Sequence, residues 1–501
     1  MKPAGLLAAA GVALVLAASS GAGRIVGTIR ADVLRGTLVP DRIVARSGND
    51  RIDVTGGGRD RVSCGPGADL VAADGSDSLA ADCEVVSRRV AADTYRGGGA
   101  QHATQAEPDS FSWGSTVVAA FQVARFTDGG AQNIGYALSS DAGRTWRSGL
   151  LPGLTVASRP RGAFLRASDP AVAYDDAHGL WLISTLGITT TGTAVLVSSS
   201  ADGLHWSAPV TAVEKPDLPD SIALDKEWIA CDNGASSPFR GHCYLSYSDI
   251  ERVELVTQTS VDGGTTWSLG VGSPDAAGRR GIQGPYAPGP QPVALPGGTL
   301  VVPIFDNELS AVYSTDGGAT FSTGSRIASS AFSRSRDLRA APLPSAEIGA
   351  DGLVFLAWPD CAARPRCSGN DLFFSKSGNG INWTPPARIP LGPGNHVLPG
   401  IAVDPARFGR IAVAYYTESA GKLDVHLVWS RDSGATWSRP VRLSPERMPY
   451  SRIAQSGGAM VGDYISTSFA AGRAVSVFTL AQSPLRGRYR QATFASSIAV
   501  P

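Results

Sequence analysis

The sequence predicts an all-β chain organised as a β-propeller, with seven blades favoured over six and a smaller repeat ahead of it. Three observations predict this. An eight-residue pattern, Ser-x-Asp-x-Gly-x-Thr-Trp, recurs with its aromatic end at Trp146, Trp206, Trp267, Phe321, Trp383 and Trp437. The intervals of 54 to 62 residues are the size of a blade, and apolar runs alternate with turns between the copies. The 501 residues include 59 Gly and 33 Pro, a turn-rich composition with β-branched and aromatic residues throughout.

The chain opens MKPAGLLAAAGVALVLAASSGAG. One charge, a short apolar run and small residues before position 23 read as a secretory leader over 1–22, too short to span a bilayer. Lys plus Arg and Asp plus Glu are both 44, so whole-chain charge gives no reason to expect nucleic acid or an anionic membrane as partner. Six cysteines in an exported chain read as disulfides between sequence neighbours, Cys64–Cys83, Cys231–Cys243 and Cys361–Cys367. No CxxC or HExxH supports zinc, no GxSxG a serine nucleophile, and no P-loop a nucleotide.

Residues 24–88 carry a shorter period. Asp32, Asp41, Asp50, Asp60, Asp69 and Asp77 are each followed two residues later by an aliphatic residue, and glycines precede several of them, as in GGGRD at 56–60. This segment resembles the calcium-binding nonapeptide repeats of RTX proteins. The resemblance implies a small parallel β-roll, its aliphatic residues inside, with carboxylates and backbone carbonyls holding Ca²⁺, a hard cation that takes oxygen ligands. Asp50, Asp60 and Asp69 are the metal candidates. Pro40 stands where a glycine belongs, a departure from the repeat. Residues 89–101 read as a linker.

Residues 102–501 are the blade region. The repeated turn resembles the Asp box, or BNR repeat, of the sialidase-like propeller superfamily. Its Asp is suited to accept backbone N–H groups in a tight turn, its Gly to supply positive φ, and its Trp to cover an apolar face. These residues read as structural clamps. Four strands per unit are legible between boxes, and a box-free set after Trp437 makes a seventh unit. A strand near Thr94–Tyr95 is expected to complete that unit and close the ring.

The resemblance implies an exo-acting glycoside hydrolase of sialidase type: three arginines gripping a carboxylate sugar, an Asp as acid/base, and a Tyr nucleophile activated by Glu. Candidates placed before or within innermost strands are Glu107, Arg166, Asp169, Asp225, Lys226, Arg336, Arg339, Arg452, Asp463 and Tyr464. Loops after second strands add Arg125, Asp249, Glu251, Arg252, Asp306, Glu308 and Glu418. The set assembled from them is Arg166, Arg339 and Arg452 as clamp, Asp169 as acid/base, and Tyr464 with Glu418 as nucleophile and base. The start motif of bacterial sialidases, Phe/Tyr-Arg-Ile-Pro, is absent; TYRGGG at 94–99 is the nearest text. The other reading is a non-catalytic secreted binder of glycans or an extracellular protein, with the calcium-binding repeat as an appendage.

Overall fold

The computed structural model describes residues 23–215, 223–274, 289–306 and 308–501. The expected leader, 1–22, lies outside them. The chain packs as two compact units, Met1–Arg89 with Leu443–Glu446, and Val90–Arg442 with Arg447–Pro501.

The first unit follows from its nine-residue period. Each period supplies one short strand and one turn. The strands are β1 (Gly23–Val26), β2 (Val33–Arg35), β3 (Asp41–Val44), β4 (Arg51–Asp53), β5 (Arg61–Ser63), β6 (Leu70–Ala73), β7 (Ser78–Leu79) and β8 (Val85–Arg89). Successive strands alternate between two parallel sheets, β1-β3-β5-β7 and β2-β4-β6-β8, giving a β-solenoid of about four turns. The aliphatic residue after each Asp points inward: Leu34, Ile43, Ile52, Val62 and Val71 form one buried core. A core this small gains from a cross-link, and Cys64–Cys83 ties its C-terminal turns together.

The second unit is also all-β, but the seven-blade ring is not its architecture, nor is the six-blade alternative. The strands form several separate sheets to which this unit contributes unequally, from three strands to eight. The first two box-bearing units share one eight-stranded sheet, Gln101–Trp113 through Val210–Lys215, where a ring needs two separate blades. The reason is local: strand Ala131–Ser139 pairs with strand Arg166–Asp175 at Ala131–Ala167, joining what the repeat separates. Three sheets have four strands, and the sheet starting at Asn395–Val403 has five. Thr94 and Tyr95, expected to close the ring, are in no strand; the Asp93 carboxylate holds Tyr95 N–H at 2.8 Å and Ala103 N–H at 2.7 Å.

The repeated turns share one hydrogen-bond set. In the first, the Ser139 hydroxyl donates to Asp141 and accepts Gly143 N–H, both at 2.8 Å. Asp141 Oδ1 accepts Thr145 N–H at 2.9 Å and Oδ2 the Thr145 hydroxyl at 2.7 Å. The turns at Asp262, Asp316 and Asp432 repeat it, and Asn379 takes the Asp role before Trp383. Gly143 has φ +81°, and a Cβ there would stand 2.7 Å from Val475 Cγ1. The three cysteine pairs are bonded as the sequence suggests, 64–83, 231–243 and 361–367. No helix among the described residues is long and apolar enough to cross a membrane.

Candidate functional site

Four strands of the second unit, Gln101–Trp113, Arg166–Asp175, Leu224–Cys231 and Asn395–Val403, break at one residue with left-handed backbone: Glu107 (φ +51°), Asp169 (+46°), Lys226 (+56°) and Leu398 (+54°). In each, the pairing register shifts at that point, as in a β-bulge. Three of the four precede proline, which cannot donate to a ladder and settles at bulges. Non-glycine residues at positive φ carry a local cost, and bulges re-aim side chains. Three of these four bulges aim charged groups into one cluster.

Lys226 is its hub. Its Nζ donates to Asp463 Oδ2 at 2.6 Å and Asp169 Oδ2 at 3.1 Å. Arg339 grips the same Asp463 with two bonds, Nε to Oδ1 at 2.9 Å and Nη2 to Oδ2 at 2.7 Å. The Ser168 hydroxyl donates to Asp169 at 2.6 Å. Below them, Glu107 accepts Asp463 N–H at 3.2 Å and a bond from the Gln122 amide, with Arg125 Nη1 at 3.8 Å. Arg125 and Arg339 converge on one hydroxyl, that of Ser456, at 3.1 and 3.4 Å. Gly462 lets the chain pass here: a Cβ on it would lie 2.8 Å from Glu107 Cα.

Burial and charge sort the group. Desolvation, helped by the Asp169 and Asp463 carboxylates, pushes Glu107 up to about 8, so it is largely protonated at neutral pH. Burial raises Asp225 to about 6 and drives Glu227 well above the carboxylate range. Burial also opposes charge on Asp463, but Lys226 and Arg339 outweigh it and hold that carboxyl far below its usual value. Burial opposes charge on Lys226 in turn, and Asp169 and Asp463 keep the ammonium protonated. The side chains of Asp463, Asp169 and Glu107 are 4, 6 and 1 % exposed, whereas Arg339 is 35 % exposed. A ligand therefore meets guanidinium first.

The structure thus brings Asp169 and Arg339 together, sets Tyr464 beside them without joining the ion-pair network, and does not pair Arg166, Arg452 or Glu418 with Asp169 or Arg339. Arg166 makes two bonds to Asp128, at 2.7 and 3.1 Å, and lies 4.2 Å over the Phe126 ring. Arg452 sits half-buried in the one-turn 3-10 helix Tyr450–Arg452. The Tyr464 phenol is buried, donates to Pro170 O at 3.0 Å and packs edge-on against Trp228. It does not pair with Glu418, which accepts the Ser335 hydroxyl at 3.0 Å and the Asn395 amide at 2.7 Å. The tyrosine beside Glu418 and Ser335 is Tyr450. Gln122, Ser168 and Ser456 had no sequence signal, while the acid-before-proline steps Glu107-Pro108 and Asp169-Pro170 did mark the bulges.

The solenoid carries a second array. Asp32 N–H donates to Asp50 Oδ1 (2.8 Å), Asp41 N–H to Asp60 (2.6 Å), Asp50 N–H to Asp69 (2.7 Å) and Asp60 N–H to Asp77 (3.1 Å). Each acid thus binds the backbone of the acid one full turn earlier. The second oxygen differs along the ladder. At Asp32 and Asp41 it accepts the N–H and hydroxyl of the threonine four residues before, Thr28 or Thr37. At Asp50, Asp60 and Asp69 that position is Arg46, Gly56 or Gly65, and Oδ2 is buried without a partner. Burial pushes Asp50 and Asp60 up to about 6 and raises Asp69.

No family model matches the chain, and no curated protein does. Among solved structures, the chain is similar to the Hadza microbial sialidase Hz136, at 15% identity over 63% of this chain and 64% of that one, TM-score 0.43. It is similar to the NanB sialidase of Streptococcus pneumoniae, at 13% identity over 81% and 70%, TM-score 0.41. It is also similar to a polysaccharide lyase of family PL25, an ulvan lyase, at 12% identity over 81% and 94%, TM-score 0.47. None of these likenesses assigns an activity to this chain.

Proposed function

We propose that the protein is a secreted glycan-binding protein that recognises an acidic sugar at the Arg339 cluster. The observation that carries this reading is the order of burial, with carboxylates beneath and Arg339 outermost. Two of its nitrogens are committed to Asp463, and among the described residues its Nη1 edge makes only the 3.4 Å bond to Ser456. That edge matches the planar carboxylate of a sialic or uronic acid. The three disulfides support an oxidising compartment.

Calorimetric titration with N-acetylneuraminic acid and glucuronic acid tests it. Binding of one acid, lost in Arg339→Ala, supports the reading. Absence of binding by both sugars to folded protein overturns it.

One observation favours hydrolysis as a second reading. Tyr450 lies near Glu418, and burial together with that carboxylate keeps its phenol neutral. The hydroxyl makes no hydrogen bond among the described residues, so a neutral phenol near a carboxylate, the kind of pair that attacks an anionic sugar, would have to close on binding. Turnover of a 4-methylumbelliferyl sialoside that is lost in Tyr450→Phe and kept in Tyr464→Phe would support it.

For the solenoid we propose Ca²⁺ binding at Asp50, Asp60 and Asp69. The three unpartnered Oδ2 atoms support it. So does the oxygen-lined space beside Gly57, where a Cβ would meet Thr37 O at 2.6 Å, Asp60 Oδ2 at 3.2 Å and Val39 O at 3.6 Å. Carboxylate and carbonyl oxygens together are the donors a hard cation takes.

A further inference from the structure

Apart from the Arg339 cluster, the second unit holds a cavity of about 430 Å³. The four bulged strands line it together with Val293–Ala294, Ser345–Ile348 and Ser466–Ala470. Trp228 separates the two places, facing the cavity while its ring packs on Tyr464 with centroids 5.1 Å apart. Exposed Trp113, Ala350 and Pro405 stand at the open end.

The walls are mostly apolar, with Trp113, Trp228, Ile348 and Phe469 among them. Two carboxyl groups interrupt them. Asp109 accepts Val172 N–H at 2.7 Å, and Glu347 Oε1 accepts its neighbour's Ile348 N–H at 2.9 Å. Among the described residues neither forms an ion pair, and no Lys, Arg or His lines the cavity. Two like charges in an apolar chamber repel each other and lose hydration, and an entering cation would offset both effects for the ionised pair. The volume is that of a small-molecule pocket, and aromatic walls favour an ammonium group over neutral polar ones.

We propose that this cavity is a second binding site, for a small organic ammonium ion with an apolar body, its charge seated between Asp109 and Glu347. The site is independent of the acidic-sugar reading, whose ligand has the opposite charge. Burial pushes both carboxyls up to about 7, so binding of the cation carries a pH signature: affinity rises from pH 6 to pH 8 as the carboxyls ionise.

The test is calorimetric titration of the full chain at pH 8 with 2-phenylethylammonium and with the near-isosteric neutral 2-phenylethanol. The ammonium is expected to bind at least tenfold more tightly than the alcohol. Glu347→Gln keeps the acceptor for Ile348 N–H and should weaken ammonium binding about tenfold while leaving alcohol binding unchanged and the melting temperature no lower. Equal affinity for the two probes, no binding of the ammonium, or full ammonium affinity in a folded Glu347→Gln protein would overturn the proposal. Should Glu347→Gln fail to fold, the wild-type comparison of the two probes at pH 6 and pH 8 decides alone; an ammonium affinity that does not rise overturns it.

Discussion

Arg339 and Asp463 are joined by two parallel hydrogen bonds, 2.9 and 2.7 Å long, although 124 residues separate them in sequence. The approach depends on a single parallel bridge, Leu338 with Ala459, that lays the 337–339 segment against 456–463. Asp463 spends both oxygens on cations, since Lys226 takes Oδ2 as well. The outermost cation of the cluster is thus oriented by a buried carboxylate that no ligand reaches.

Removing the hub should cost more than removing the rim. Lys226→Met leaves Asp169 and Asp463 facing each other without their shared cation, and breaking one side of such a buried pair costs about 3 kcal/mol. Adding Asp169→Asn should recover part of that loss. Urea unfolding of the single and double variants measures both, and equal stability of Lys226→Met and wild type would contradict the burial order described.

The turn glycines separate strain from collision. Gly264 and Gly434 share positive φ, +81° and +87°, so Ala at either costs about 1 kcal/mol from the backbone alone. A Cβ on Gly434 also stands 2.3 Å from the Phe374 ring, against 3.3 Å from Leu182 for Gly264. Gly434→Ala should therefore lower the melting temperature clearly more than Gly264→Ala.

The bare carboxylates give the solenoid a pH dependence whose sign depends on metal. Without metal, Asp50 and Asp60 titrate near 6 in the folded state and near 3.8 when unfolded. Their contribution is fully present below the unfolded value and is lost as pH rises through the folded one, roughly 2 kcal/mol each. In chelator, the solenoid's transition in full-length protein should rise between pH 7.5 and pH 4.5. With Ca²⁺, which requires the ionised acids, the same change should lower it.

Thr37 offers a control within the ladder. Its hydroxyl occupies Asp41 Oδ2 at 2.9 Å. Thr37→Val should destabilise the solenoid by about 1 kcal/mol. Urea unfolding of the full-length protein, beside the wild type, would show it.

The parts of this molecule that repeat were legible in the sequence, and the parts that depend on pairing between repeats were not. The turn clamps at Asp141 and its counterparts, the inward aliphatics of the solenoid and the three disulfides rest on contacts short in sequence. Sheet width rests on bridges such as Ala131–Ala167, which no periodicity marks, so the expected ring gave way to separate sheets. In the site, a bulge aims Asp169 into the cluster and the Leu338–Ala459 bridge brings Arg339 to it. Asp463 and Tyr464 are adjacent, yet one joins the cluster and the other turns to Pro170 O. Composition around such a pair looks alike from either side, and no periodicity marks which of the two side chains turns to the cluster.

The alternation of the solenoid between two sheets restricts how its length can vary. Losing one nine-residue period would send every later strand to the opposite sheet and turn the exit of the chain to the other side. Losing two periods would remove one whole coil and leave both the exit and the Asp ladder in step. Insertions and deletions in this segment are thereby quantised in steps of about eighteen residues, the spacing from Asp32 to Asp50, and lengthening the protein by design would have to respect the same unit.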